Sequence, residues 1–140
     1  MNCSDLMKKA IVYLNPEDTA QTAARLMADS NVGFLPVCED GKAIGTVTDR
    51  DIALRIVREG KAATIPVRDI MTHDVIACGP DDSIEEAAEV MAEHQVSRLM
   101  INGPDGKLLG IISLSDLPRA DAESAFHAFQ DVTEREAHPS

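Results

Sequence analysis

The sequence predicts an α/β (α+β) fold made of two pseudo-symmetric repeats, each running strand, helix, strand, strand, helix. Three observations predict it. Gly45-Thr46-Val47-Thr48-Asp49-Arg50-Asp51 returns as Gly110-Ile111-Ile112-Ser113-Leu114-Ser115-Asp116, a glycine, β-forming residues, a hydroxyl and an aspartate three positions on. The surroundings return in register: Asp5-Leu6-Met7 as Asp69-Ile70-Met71, Pro16 as Pro80, Asp18-Thr19 as Asp82-Ser83, and Gly41-Lys42 as Gly106-Lys107. Apolar spacing then alternates between short β-type runs and helical stripes. The offset is 64 positions up to the turn and 65 after it, so copy two carries one extra residue near Pro104. A repeat of this length marks a supersecondary unit that buries its apolar face against a neighbour. The division is 1–60 for repeat one, 61–68 for the linker, 69–120 for repeat two, and 121–140 for a C-terminal helix and frayed tail.

In copy one, residues 5–9 read as a short helical lead-in and 11–14 as a strand. Pro16 opens a turn, and Asp18 or Thr19 caps a helix whose buried side carries Ala20, Ala23, Ala24, Leu26 and Met27. Residues 34–37 form a strand, with Pro36 placing it at an edge or bulge. Asp40-Gly41 supplies a hairpin turn into the strand 43–47. The helix 49–59 follows and stops at Gly60. In copy two the strand is 75–77, and Gly79-Pro80 turns into a helix opened by a Ser83/Glu86 capping box. The strands 98–101 and 108–112 flank the turn Pro104-Asp105-Gly106. The segment 121–135 is helix-compatible, with Ala122, Ala125, Phe126 and Phe129 at helical spacing.

The 140 residues are 44% hydrophobic and 26% charged, ordinary for a globular chain, but only 3% aromatic, so Ile, Val, Leu, Met and Ala must build the core. No apolar run approaches the roughly 20 residues of a membrane span, and the start lacks the basic and apolar regions of a signal peptide. A cytoplasmic protein without membrane contact is expected. Residues 1–70 hold nine Lys/Arg against ten Asp/Glu, the remainder four against fourteen, for a net charge of −11. Such acidity disfavours a nucleic-acid surface, yet permits a small anionic ligand in a pocket governed by local donors.

The hydroxyl-x-x-Asp signal places Thr48 and Ser113 at the start of each repeat's last helix, where free N–H groups favour an anion. Two readings stand. In one, Thr48 with Asp51 and Ser113 with Asp116 are capping boxes using Asp in place of Glu. In the other, the hydroxyls and helix starts hold phosphate while each aspartate accepts from a vicinal diol such as a ribose. Gly45 and Gly110 would then let backbone approach the ligand closely.

The doubled motif, the tandem repeat and the Asp-x-Met lead-in resemble the cystathionine-β-synthase-type (CBS) domain family, over residues 5–118. Two such domains commonly pair into a Bateman module, and small stand-alone bacterial two-domain proteins are similar. The resemblance implies a regulatory sensor of an adenosine-containing ligand, with AMP, ADP, ATP, NAD and S-adenosylmethionine as candidates, bound in clefts between repeats. It makes Asp51 and Asp116 ribose ligands and puts Thr48, Ser113 and Ser115 near phosphate, with Arg50 adding charge in copy one. Ser113-Leu114-Ser115-Asp116 resembles a nucleotide-binding copy in the regulatory γ subunit of the AMP-activated kinase. Arg98 matches a phosphate-reaching strand residue where copy one has Phe34, so the two sites are not equivalent. Ile11 and Val75 match adenine-lining positions, with plain core strand residues as the alternative. With no Lys or His beside Phe34 and an acidic second half, AMP is favoured over polyphosphates.

Cys3, Cys38 and Cys78 are odd in number and widely spaced, which argues for free thiols. No Cys-x-x-Cys or His-x-x-x-His pattern suggests a metal site. Neither a nucleophile elbow nor an ordered nucleophile–His pairing suggests catalysis, so no enzyme, cofactor or metal is expected. The competing reading is a ligand-free, dimerising structural or interaction module, since Ala- and Met-rich helix faces suit a homodimer. A separate effector protein would complete either reading.

Overall fold

Each repeat's hairpin recruits the lead-in of the other repeat, and this exchange organises the architecture. The computed structural model describes residues 1–123 and 125, in two compact units. One consists of residues 11–75, the other of residues 1–10 together with the chain from Ile76 onward. The repeat as a stretch of sequence and the unit as a folded body are therefore different divisions of the chain.

In the 11–75 unit, helix α2 (Ala20–Ser30) precedes the hairpin β1 (Phe34–Glu39) and β2 (Lys42–Thr48). Thr19 caps α2, its hydroxyl accepting from Thr22 N–H at 3.2 Å, while the Asp18 carboxylate accepts from Asn15 N–H. Asn31 closes the helix in the left-handed conformation, φ 53°. Asp40 and Gly41 both have positive φ, the geometry of a two-residue hairpin turn that matches strand twist. Pro36 sits beside the bulge at Val37/Cys38. Its carbonyl accepts from Leu14 N–H at 2.8 Å and Leu14 C=O accepts from Cys38 N–H, so nothing on that side needs the N–H that proline lacks. Leu14, Leu35, Val37, Val47, Val67 and Ile70 are fully buried in the core of this unit.

The unit containing the chain's start repeats the plan. It holds α1 (Cys3–Leu6), β3 (Ala77–Cys78), α4 (Ile84–His94), and the hairpin β4 (Arg98–Asn102) with β5 (Leu108–Ser113). The bulge recurs at Ile101/Asn102, and Gln95 takes the left-handed cap position of Asn31. The extra residue of copy two lies in the hairpin turn, where Gly103 N–H bonds Lys107 C=O and Gly106 has φ 82°. Ile84, Met91, Leu99, Ile101 and Ile112 fill the core with Cys3. The three cysteines are free thiols. No helix among the described residues is long and apolar enough to cross a membrane.

Several expectations shift. The strand 11–14 contracts to Leu14, a parallel bridge to Val37; Val12 and Tyr13 stay exposed because β-type residues make no strand without a partner in reach. The strand 75–77 starts later, at Ala77, where it pairs in parallel with Met100. The lead-in helix ends at Leu6, freeing Lys8 to pair with Ile111. Ser83 Oγ accepts from Glu86 N–H, only the first half of the expected box. The helix 49–59 begins as α3 (Asp49–Ile52), then widens into a π-helical turn over Ala53–Val57 with Arg58 N–H bonding Ala53 C=O. In copy two the hydroxyl-x-x-Asp signal starts only a 3₁₀ turn, Leu114–Asp116. Pro118 is the reason: it drives Leu117 into extended conformation, ψ 150°, and helix resumes over 119–123. The joining stretch 61–68 also contains the fully buried Val67, whose N–H bonds Asp18 C=O. The helix expected over 121–135 is seen only at 121–123 and Ala125; Phe126, Phe129 and the rest lie outside the described residues.

The exchange rests on matched contacts. Lys8 and Ile111 share two backbone hydrogen bonds at 2.9 and 3.1 Å, and Thr72 and Thr46 share two at 2.9 Å. A Cβ on Gly110 would lie 2.7 Å from the Met7 side chain, and one on Gly45 would lie 2.7 Å from the Thr72 carbonyl and 2.8 Å from Met71 Sδ. Met7 Cγ and Sδ can rotate away, but its Cβ, 2.9 Å off, is fixed by the backbone laddered at Lys8, just as the Thr72 carbonyl is fixed by its own ladder. Urea unfolding should therefore show Gly45→Ala and Gly110→Ala each losing about 2–3 kcal/mol. Adding Met7→Ala to Gly110→Ala should cost less than the two single losses combined.

Candidate functional site

The strand register of copy two brings the first candidate residues together. Arg98 opens β4 and Ser113 closes β5, and the two are direct cross-strand partners. The chain then turns through Leu114–Asp116. Ser113 donates twice to Asp116 Oδ2, from its backbone N–H at 2.9 Å and from its hydroxyl at 2.8 Å. Ser115 Oγ lies 2.8 Å from Ser113 Oγ. On the other side of the carboxylate, Lys8 Nζ stands 3.6 Å from Oδ1. Partial burial opposes ionisation of Asp116, but the two Ser113 hydrogen bonds and the Lys8 ammonium outweigh it and hold the carboxyl below its ordinary value.

A cavity of about 500 Å³ opens beside this turn, lined among others by Ser97, Arg98, Ser113, Ser115, Arg119 and Glu123. Arg98 also donates to Ser97 Oγ at 3.2 Å. Hydroxyls and guanidinium groups lining one cavity suit an anion with oxygen acceptors. Arg119 and Glu123 were not among the sequence candidates. The available signal was their four-residue spacing just past Pro118, which reads as an ordinary helix-surface pair.

Copy one has the same backbone and different chemistry. Phe34 stands opposite Thr48, so the register that supplies a cation in copy two supplies a ring here. Thr48 N–H donates to Asp51 Oδ2 at 3.0 Å and Asp51 N–H to Thr48 Oγ1 at 3.1 Å, a complete capping box. Asp51 Oδ1 faces Arg55 Nε at 3.6 Å and accepts from Thr72 Oγ1 at 3.5 Å. Arg55 is itself moored to the Ile70 and Met71 carbonyls. Arg50 is exposed at the first turn of α3.

The remaining candidates sit elsewhere. Gly45 and Gly110 are buried under Met71 and Met7, so the close approach assigned to a ligand is made by the chain's own lead-ins. Ile11 and Val75 are half-buried residues outside any strand of the 11–75 unit. Both motif aspartates thus form the capping bonds of the first reading, each with Oδ1 left to a cationic side chain.

Cys3 and Cys38 are buried thiols and Cys78 is half-buried. Burial, then the Cys3, Asp82 and Glu86 charges, pushes Cys78 up to about 11. Among the described residues no group of His, Cys, Asp and Glu is arranged to hold a metal ion.

The folded value of Asp116 lies below its unfolded one, so its stabilisation is complete above the ordinary carboxylate range and is lost as pH falls through the folded value. Asp116→Asn should lower stability by about 1 kcal/mol at neutral pH, and the difference in urea midpoints should begin to narrow as pH falls below about 4. Replacing Lys8 with Met should raise the Asp116 titration midpoint measured by NMR.

The comparisons place the chain. The family model described as CBS domain matches residues 3–58 and 67–123, and such domains are regulatory modules rather than catalytic ones. The CBS domain-containing protein YhcV of Bacillus subtilis is 38% identical over 136 residues, 96% of each chain. A solved, uncharacterised conserved protein of Pyrococcus horikoshii is 34% identical with a TM-score of 0.72, covering 82% of this chain and 87% of that one. The CBS domain protein PAE2072 of Pyrobaculum aerophilum, solved in complex with AMP, is 26% identical with a TM-score of 0.78, over 91% of this chain and 99% of its own. The exchanged lead-ins and doubled hairpins are thus the architecture of a tandem pair, and the chain belongs to the CBS domain family.

Proposed function

We propose that this chain is a regulatory module that binds an adenosine-containing ligand, AMP before the others, chiefly through the Arg98/Ser113/Asp116 constellation. The observation that carries the reading is the cavity lined by Arg98, Ser113 and Ser115, with Asp116, itself not a lining residue, hydrogen-bonded to Ser113. The donors suit a phosphate, and Asp116 Oδ1 suits a vicinal diol. Its contact to Lys8 is 3.6 Å long, and the Lys8 side chain is 70% exposed, so a ligand hydroxyl displaces little. PAE2072, at 26% identity, carries AMP on the same fold.

Copy one is the weaker site on this reading. Phe34 offers phosphate no charge, and Arg55 holds Asp51 while moored to two carbonyls. A signalling role then follows from differential affinity: the ligand shifts whichever state of the module, or of a homodimer or effector complex, binds it better. The second reading, a ligand-free interaction module, is favoured by one observation, the capping bonds that already satisfy Thr48, Ser113 and one oxygen of each aspartate.

Calorimetric titration with AMP tests the choice. The wild-type chain should bind, Asp116→Ala should weaken binding by about tenfold or more, and Asp51→Ala by less than about threefold. AMP should also raise the melting temperature, as any ligand of the folded state must. A chain that shows neither heat nor melting shift with AMP, ADP, ATP, NAD or S-adenosylmethionine is the ligand-free module instead.

A further inference from the structure

The cavity beside Ser113 carries two arginines, where the strand register accounts for one. Arg98 enters from β4. Arg119 enters from the helical stretch after Pro118, and its Nε donates to Glu123 Oε1 at 3.1 Å. Both members of this pair line the cavity. Their side chains are 93% and 59% exposed, so the pair is a surface i,i+4 bridge of small intrinsic worth. A bidentate guanidinium–phosphate contact is stronger than that. An anion entering the cavity therefore meets a guanidinium that loses little by changing partner.

We infer that the Arg119–Glu123 pair is a charge clasp that sets how much phosphate this site accepts. The inference rests on the nucleotide reading above and deepens it by naming the ligand class, a nucleoside monophosphate in preference to a triphosphate. Arg119 leaves Glu123 and joins Arg98 on one phosphate group, whose charge of about −1.5 to −2 at neutral pH two guanidinium groups match. Glu123, released, stands as an unpaired carboxylate lining the same cavity. Any further phosphate meets that like charge with no additional cation among the described lining residues, since Ser97, Ser113 and Ser115 are neutral donors. The clasp thus attracts the first phosphate and repels the next.

Titration of the 140-residue chain with adenosine, AMP and ATP reads this directly. Wild type should prefer AMP to ATP. Glu123→Gln removes the repulsion, and the ATP-to-AMP affinity ratio should rise by about fivefold. Arg119→Gln should weaken AMP by about fivefold to tenfold and leave adenosine unchanged. Both side chains are exposed, so the melting temperature without ligand should match wild type in each variant. If wild type binds none of the three ligands, the nucleotide reading falls and the clasp with it. If wild type binds AMP but the ratio is unmoved in Glu123→Gln, or adenosine and AMP weaken equally in Arg119→Gln, the clasp alone is overturned.

Discussion

The structure depends on how closely a lead-in can lie against a hairpin. Met7 rests on Gly110 and Met71 on Gly45 at distances that no Cβ permits. Those contacts hold Lys8 against Ile111 and Thr72 against Thr46, each through paired backbone hydrogen bonds. Without them the lead-ins would have no ladder, and each hairpin would expose the outer side of its second strand. Because the Met and the Gly that meet come from different repeats, this one contact decides that residues 1–10 fold with the second half and residues 65–75 with the first.

The same contact reaches the candidate site. Lys8, the residue after Met7, faces Asp116, and Thr72, the residue after Met71, faces Asp51. Each motif carboxylate is thus held from one side by its own capping turn and from the other by an imported lead-in. The Lys8 ammonium is exposed, so it is the backbone ladder to Ile111, not this ion pair, that seats the chain's first ten residues.

Pseudo-symmetry of the backbone leaves room for asymmetric chemistry. Bulges, left-handed caps and cross-strand registers recur in both copies, yet Arg98 replaces Phe34 and Ser115 replaces Arg50. Pro118 adds a geometric difference. It ends the motif turn of copy two after three residues, where copy one runs on through α3 and the π turn. The helix dipole expected behind Ser113 is therefore short. On the proposed reading it is hydroxyls and guanidinium groups, rather than the end of a long helix, that would draw an anion into that cavity.

Local physics made much of this legible in the residues alone. The repeat, the Asp40-Gly41 turn, the Thr19 and Ser83 caps and both hairpins follow from spacing and backbone preference, because each is decided within a few residues. The opposition of Arg98 and Ser113 was nearly legible too, since a hairpin's turn sets its register. Tertiary structure alone decided what Gly45 and Gly110 are for, why residues 11–13 form no strand, that Lys8 faces Asp116, and that Arg119 and Glu123 share a cavity with Arg98. These depend on contacts between residues distant in the chain, or on which way a side chain turns once its helix is placed. No spacing rule carries that information, because the free energy of such contacts exists only after the elements have packed.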